Sequence, residues 1–248
     1  MPIITIGASE VAACIGLNPY KSVAEMVTTL VAKHCPEKNI VTTDQAAEAL
    51  LATSASSTEL IRTIKATAGR VDPSVLEKTV QQGMASLAKE FTGAEQEQVK
   101  AYLQSKANTI QGTHFEKGTA RKAMELAECT HLVEDHKVYL QTILVHGPYT
   151  FQLVGKIDRL NIESDGSRTL IEIKNRVNRL FYTVKEYENI QVQCYLQLLD
   201  LEHAKLIEHY KKGNQLHTLP IKRDQTMWET VIHPRLIDFC TQLYKAFE

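Results

Sequence analysis

Thr150-Phe-Gln-Leu-Val-Gly-Lys-Ile-Asp-Arg-Leu-Asn-Ile162, followed by Glu163-Ser-Asp-Gly-Ser167 and Arg168-Thr-Leu-Ile-Glu-Ile-Lys174, is the stretch that decides the fold. Two runs rich in Val, Ile, Leu and Phe flank a turn made of Asp, Gly and Ser, which is the pattern of a β-hairpin. With the turn centred on Asp165, residues whose numbers sum to 330 face each other. Asp158 then lies opposite Glu172, Leu160 opposite Leu170, and Ile162 opposite Arg168. Strand alternation puts Glu172 and Lys174 on one face and Ile171 and Ile173 on the other. Two facing carboxylates repel unless a cation sits between them, so a hard divalent metal is the expected occupant.

Working outward, Lys137 to Val145 reads as a strand, His146-Gly-Pro-Tyr149 as a turn, and 150–162 as one continuous strand. After the hairpin come a helix over Val184 to Leu199, a strand at Lys205 to Tyr210, a turn at Lys211-Lys-Gly-Asn214 and a short strand to Ile221. A helix from Asp224 to Phe247 closes the chain, and Pro234 must kink or split it. Upstream, Ser9 reads as the N-cap of a short helix that ends at Gly16, and Ser22 as the cap of a second over 23–32. From Thr43 to Ile110 the composition is helical, with breaks at Ala52 to Ser57 and at Gly69 to Pro73. The implied fold class is α/β: a small mixed sheet flanked by helices, with a helical N-terminal elaboration. The expected organisation is one domain over 1–248, with a helical insertion at 34–110, a catalytic core at 111–223 and a C-terminal helix at 224–248.

The bulk properties set bounds. At 248 residues with 44% apolar and 23% charged content, the chain can bury a full core and is not disordered. Its net charge of -1 means that a nucleic-acid partner has to be held by a local basic lining. Five scattered cysteines without a C-x-x-C pair argue against a disulfide framework or a zinc cage, and a reducing compartment follows. No apolar run is long enough for a membrane span and no basic leader opens the chain, so the expected location is intracellular and not secreted. None of the nine histidines forms a ligand-spaced pair, so zinc is not expected. Gly155-Lys-Ile-Asp158 lacks the upstream glycine and the hydroxyl of a phosphate-binding loop, so ATP is not expected either.

A further acid comes from the helix at 112–128. Around that helix Glu116 falls within the apolar stripe of Phe115, Ala120, Ala123, Met124, Leu126 and Ala127, whereas Lys117, Arg121, Lys122, Glu125 and Glu128 fall on the opposite side. A carboxylate there needs a metal or a cationic partner. Asp135-His-Lys137 offers a rival Asp-x-Lys, but without an acid in a matching hairpin.

Five elements in order resemble the PD-(D/E)XK nucleases, within them the YqaJ-type viral recombinase, lambda-exonuclease-like family: Gly7-Ala-Ser-Glu-Val-Ala-Ala-Cys-Ile-Gly-Leu-Asn-Pro-Tyr-Lys21, Gly112-Thr-His-Phe-Glu116, Gly155-Lys-Ile-Asp158, Glu172-Ile-Lys174 and Gln191-Val-Gln-Cys-Tyr195. The resemblance implies a restriction-endonuclease-like core and a Mg²⁺- or Mn²⁺-dependent deoxyribonuclease. Its metal ligands would be Asp158, Glu172 and the carbonyl of Ile173, with Glu116 serving a second ion. Lys174 would position or polarise the attacking water, and Gln191 and Tyr195 would flank the site, with Gln193 competing for the glutamine role. Ser9 and Lys21 would bind a terminal 5′-phosphate. The resemblance further implies a 5′-to-3′ double-strand exonuclease of phage or viral recombination, acting on DNA, with a ring-shaped homo-oligomer and a single-strand annealing protein as partners. It would work in the cytoplasm or, for a virus, in the host nucleus. A structure-selective or single-strand nuclease on the same core, and an inactive nucleic-acid-binding subunit, remain the alternatives.

Overall fold

The computed structural model describes residues 1–67, 73–87, 90–126, 129–210 and 214–248. The chain opens with strand β1 (Ile3–Gly7), a 3₁₀ turn (Ala8–Glu10), α1 (Val11–Cys14) and α2 (Val23–His34). Helices α3 (Thr43–Ala52), α4 (Ala55–Thr67), α5 (Pro73–Leu87) and the 33-residue α6 (Gly93–Glu125) follow. Next come β2 (Leu132–Glu134), β3 (Tyr139–His146), β4 (Tyr149–Gly155), β5 (Arg159–Ile162) and β6 (Arg168–Arg176). Helix α7 (Glu186–Leu199), β7 (His203–Tyr210), β8 (Gln215–Lys222), α8 (Gln225–Met227), a π turn (Trp228–Ile232) and α9 (His233–Phe247) complete the described residues. The expected break at Gly69 to Pro73 and the turn at Lys211-Lys-Gly fall largely outside them, as does the end of the helix at Ala127 and Glu128.

The class is α/β with mixed sheets and flanking helices, as expected, but there are two sheets where one was anticipated. A three-stranded sheet has the order β1-β4-β3 and a five-stranded one the order β2-β5-β6-β7-β8. Each mixes parallel and antiparallel pairs: β1 with β4 and β6 with β7 run parallel, the others antiparallel. The long strand read over 150–162 is broken at Lys156 to Asp158, so that β4 lies in one sheet and β5 in the other. Gly155 permits the crossing, because a Cβ there would lie 2.6 Å from Leu198 Cδ1 and 3.1 Å from Tyr195 Cδ1. The hairpin register is the one expected, with Arg159 facing Ile171, Leu160 facing Leu170 and Ile162 facing Arg168. Its turn is closed by the Glu163 N–H donating to Ser167 at 2.9 Å, with Gly166 at φ +82°.

The main core fills the space between both sheets and α1, α2, α7 and α9, around Ile6, Phe151, Leu153, Leu170, Leu196, Leu206 and Phe239. Helices α3 to α6 have a separate core that includes Leu51, Ile64, Leu87, Val99 and Leu103. Helix α6 runs without interruption through residue 110, where the sequence suggested a boundary, and ends on the sheet through Ala120 and Ala123 against Ile171, Ile173 and Ile207. At the other end of the chain Pro234 sits in the first turn of α9, and the helix is split by the π turn ahead of it.

Of the two N-terminal caps read from sequence, one stands and one changes. Ser22 caps α2 with a full capping box to Glu25, as expected. Ser9 caps nothing: it lies exposed within the 3₁₀ turn, whose cap is Gly7, and the Gly7 N–H donates to Glu10 Oε2 at 2.9 Å. The chain enters as a strand, so the free N–H falls at Gly7 and a carboxylate three residues on satisfies it.

Candidate active site

Strand β6 carries Glu172 and Lys174 on the face that looks at α7. Glu172 is 3% exposed. Its Oε1 accepts Lys174 Nζ at 2.7 Å and Gln191 Nε2 at 3.0 Å, whereas its Oε2 is buried without a hydrogen-bond partner. Gln191 also accepts Lys174 Nζ at 3.1 Å and donates to the Tyr195 hydroxyl at 3.1 Å. Gln191 and Tyr195 are four apart on α7, hence on one helical face, and they form a single hydrogen-bonded cluster with the acid and the lysine.

Asp158 stands at the start of β5, where the chain passes between the sheets, and its Oδ2 accepts the N–H of Ile173 at 2.9 Å. Burial and then the neighbouring Glu172 push its carboxyl up to about 8, against the opposing pull of the Ile173 N–H. Burial alone would draw the Lys174 ammonium down, but the charge and hydrogen bond of Glu172 outweigh it and hold the lysine above its ordinary value. Lys174 thus stands in the cluster as a donor, to Glu172 and to Gln191. Burial followed by Glu172 likewise raises the Tyr195 hydroxyl.

Glu116, read from sequence as needing a metal or a cationic partner, has a cationic one here. It projects from α6, on the side of the sheet that carries Ile171 and Ile173, and its Oε1 accepts Arg159 Nη2 at 3.1 Å. Arg159 is 5% exposed and also holds Glu134 of β2 at 2.9 Å. Burial lifts the Glu116 carboxyl above its ordinary range, Arg159 opposes this, and Glu134 and Glu172 add to the rise. The Glu116 charge thus reaches the other acids while its oxygen stays on the guanidinium. The apolar stripe is also narrower than expected: Ala120 and Ala123 are buried, Met124 and Leu126 exposed. Among the described residues no three His, Cys, Asp or Glu side chains stand close enough together to hold a metal ion. The fit to a cation rests instead on Asp158 and Glu172, where the orphaned Glu172 Oε2 and the raised Asp158 carboxyl describe a buried oxygen-donor pair short of positive charge.

The remaining candidates stand apart from this cluster. Gln193 donates to the carbonyl of Lys222 at 2.9 Å and accepts the Asp224 N–H at 2.8 Å, so it fastens the end of β8 to α7, and the glutamine beside the acids is Gln191. Ser9 and Lys21 lie outside the hydrogen-bonded cluster; Lys21 precedes the α2 cap, where its charge acts on Glu25. Asp135 closes a local turn, accepting from the Lys137 N–H and the Tyr139 hydroxyl. Sequence reasoning missed Arg159 and Glu134, although the hairpin register already places Arg159 opposite Ile171, on the α6 side. A second buried ionic group, Arg176 with Glu188 at 2.5 Å and Glu208 at 2.6 Å, lies where β6 ends.

The sequence profile of the PD-(D/E)XK nuclease superfamily matches residues 37–234, and this chain belongs to that superfamily. It is a nuclease by descent, of a superfamily whose members hydrolyse nucleic acid, generally with divalent metals. No curated protein matches its sequence closely enough to count. Among solved structures it is similar to an alkaline exonuclease from Laribacter hongkongensis at 17% identity and TM-score 0.43, covering 66% of this chain and 88% of that one. The complex of LHK-Exo with dAMP aligns at 13% identity and TM-score 0.43, over 74% of this chain and 87% of that one. A phage related exonuclease from Haemophilus somnus aligns at 12% identity and TM-score 0.41, over 57% and 74%. The family assignment rests on the sequence profile, and these likenesses of fold add nothing to it. Among the described residues no helix is long and apolar enough to cross a membrane.

Proposed function

We propose that this chain is a Mg²⁺- or Mn²⁺-dependent deoxyribonuclease of the YqaJ-type, lambda-exonuclease-like branch, acting as a 5′-to-3′ double-strand exonuclease in phage or viral recombination. The observation that carries the metal-dependent reading is the buried pair Asp158 and Glu172, with one oxygen lacking a partner and a charged lysine alongside. Asp158, Glu172 and the carbonyl of Ile173 would hold the first ion, and Glu116 a second after leaving Arg159. A hard divalent cation held by these oxygens would supply positive charge for the phosphate and would make the attacking water more acidic. The protein's own residues do the rest. Lys174, held as an ammonium, donates to the attacking water or a phosphate oxygen, and Gln191 fixes both the lysine and Glu172. The water oxygen attacks phosphorus and its proton passes to solvent, while the bond to the 3′ oxygen breaks and that oxygen takes a proton from solvent to leave as a hydroxyl. Tyr195 closes the far side of Gln191. Ser9 and Lys21 as a 5′-phosphate site, a ring of identical subunits, an annealing partner, a cytoplasmic or nuclear location and the division of the chain at 34–110 belong to the same proposal and follow the family resemblance.

Hydrolysis of 5′-phosphorylated, 5′-hydroxyl, circular and single-stranded DNA with Mg²⁺, Mn²⁺ or EDTA tests it. Linear 5′-phosphorylated duplex should be degraded with metal only; cleavage of closed circles overturns the exonuclease assignment, and a preference for single strands supports that alternative. Lys174→Ala should abolish turnover in a folded protein, and unchanged turnover removes the mechanism.

A further inference from the structure

Tyr187, Gln191 and Tyr195 recur every four residues on α7, so a single face of that helix leads from the catalytic cluster to a hollow one turn beyond Gln191. The hollow, about 610 Å³, lies between the turn at Gly16 to Tyr20 and the segment at Arg179 to Tyr187. A second of about 400 Å³ adjoins it around Tyr182 and shares Arg179, Phe181 and Lys185 with it. Each presents one exposed tyrosine ring. Tyr20 is 77% exposed, its backbone N–H tied to Asn18 Oδ1 at 2.8 Å and its ring edge-on to Tyr187 at 5.7 Å. Tyr182 is 57% exposed and sits at φ +58°, a left-handed backbone that a tyrosine rarely adopts.

That strained conformation is enforced from below. Fully buried Glu208 accepts the N–H of Phe181 at 3.1 Å and of Tyr182 at 2.9 Å, and is itself held by Arg176. Phe181 lies 4.2 Å from the Arg176 guanidinium and 4.8 Å from Lys185 Nζ, which keeps the lysine over the loop. A buried ionic group therefore fixes the backbone that presents the Tyr182 ring, which rests on His217 at 4.9 Å between centroids and leaves the rest of its surface to solvent. Both hollows carry the cations Arg179 and Lys185; Glu186 is the acid among the residues described around them. In a chain of net charge -1 this is a local basic lining with aromatic faces, the combination that binds unpaired nucleotides through phosphate and base together.

We infer that these two hollows form a binding track for an unpaired stretch of nucleic-acid strand next to the catalytic cluster, with bases stacking on Tyr20 and Tyr182 and phosphates meeting Arg179 and Lys185. The identity of the polymer rests on the proposed nuclease function. The test is fluorescence anisotropy in EDTA, without turnover, with a labelled oligo-dT of about a dozen nucleotides and an abasic oligomer of equal length. Wild-type protein should bind oligo-dT more tightly. Tyr20→Ala and Tyr182→Gly should each weaken oligo-dT binding about tenfold and leave abasic binding unchanged, since base stacking is what they remove. Both variants should keep the fold, because Tyr20 is exposed and glycine accepts the left-handed backbone. Arg179→Gln with Lys185→Gln should weaken both ligands and flatten the salt dependence. Equal wild-type affinity for the two oligomers, or tyrosine variants that keep the preference, overturns the inference. An inactive protein that still prefers oligo-dT would retire the nuclease reading alone, and an active nuclease without the preference would retire the track alone.

Discussion

Asp158 and Ile173 are joined across the two strands of the hairpin by a carboxylate-to-amide hydrogen bond of 2.9 Å, and that bond spends one Asp158 oxygen on the strand that bears Glu172. The acid is thereby locked beside a second acid in a buried place, and the structure holds a charge conflict that only a cation or a proton relieves.

The first prediction follows from that conflict. The Asp158 carboxyl is raised in the folded protein from its ordinary 3.8 to about 8, by burial first and Glu172 second. A carboxyl raised on folding contributes stability that is complete below its unfolded pKa and lost as pH climbs through the folded one. In EDTA the thermal midpoint should therefore fall by several degrees between about pH 5 and pH 8. Asp158→Asn should remove most of that slope. Mg²⁺ at about pH 8 should restore the midpoint in the wild-type protein and not in the variant. A midpoint indifferent to metal would contradict the assignment of these oxygens.

The two glutamines of α7 separate positioning from support. Gln191→Leu removes hydrogen bonds to Glu172, Lys174 and Tyr195, and the lysine loses its second anchor. Turnover should drop about 10- to 100-fold through misplacement, with KM and stability little changed. Gln193→Leu strands the Lys222 carbonyl and the Asp224 N–H instead, costing about 1–3 kcal/mol of stability while turnover of the folded fraction is retained. Urea unfolding and steady-state kinetics on both variants give the comparison, and a reversed pattern would exchange their roles.

Arg159 binds Glu116 and Glu134 at once from a buried position. Arg159→Met should cost about 1–3 kcal/mol, less than a fully buried pair because Glu116 keeps contact with water. Adding Glu116→Gln should recover part of that loss. A double-mutant cycle read by urea denaturation measures the coupling, and additive effects would mean that the pair contributes nothing.

Much of the site was legible because a hairpin with a tight turn obeys simple arithmetic. The Glu163–Ser167 closure sets the register, and alternation then brings Glu172, Lys174 and Asp158 together without knowledge of the rest of the fold. What was not legible depends on partners distant in sequence. Ile3-Ile4-Thr5-Ile6 is a β-branched run, but it becomes a strand by pairing in parallel with Thr150 to Val154, which no local pattern reveals. Glu116 was read as needing a metal or a cationic partner; that a guanidinium sits on it follows from α6 lying on the Ile171 face, a fact of packing and not of periodicity. The 150–162 run looked continuous because Val154 and Ile157 keep strand composition across the point where the chain changes sheets.

That change of sheets is the basis of the last prediction. Gly155 lies beneath the α7 side chains that support the site, with Leu198 and Tyr195 occupying the space a Cβ would need. Gly155→Ala must displace them or shift β4, and overpacking of this kind costs about 1–3 kcal/mol. Tyr195 accepts from Gln191, and Gln191 holds Lys174, so a displaced ring carries the disturbance to the lysine. Turnover should fall more than stability alone explains when it is measured at a temperature where the variant stays folded. Leu198→Ala opens room on the same side and should restore part of the activity to the double variant, even though alone it creates a cavity. Activity that follows the folded fraction in all three proteins would show instead that Gly155 serves the crossing between sheets and leaves the catalytic cluster untouched.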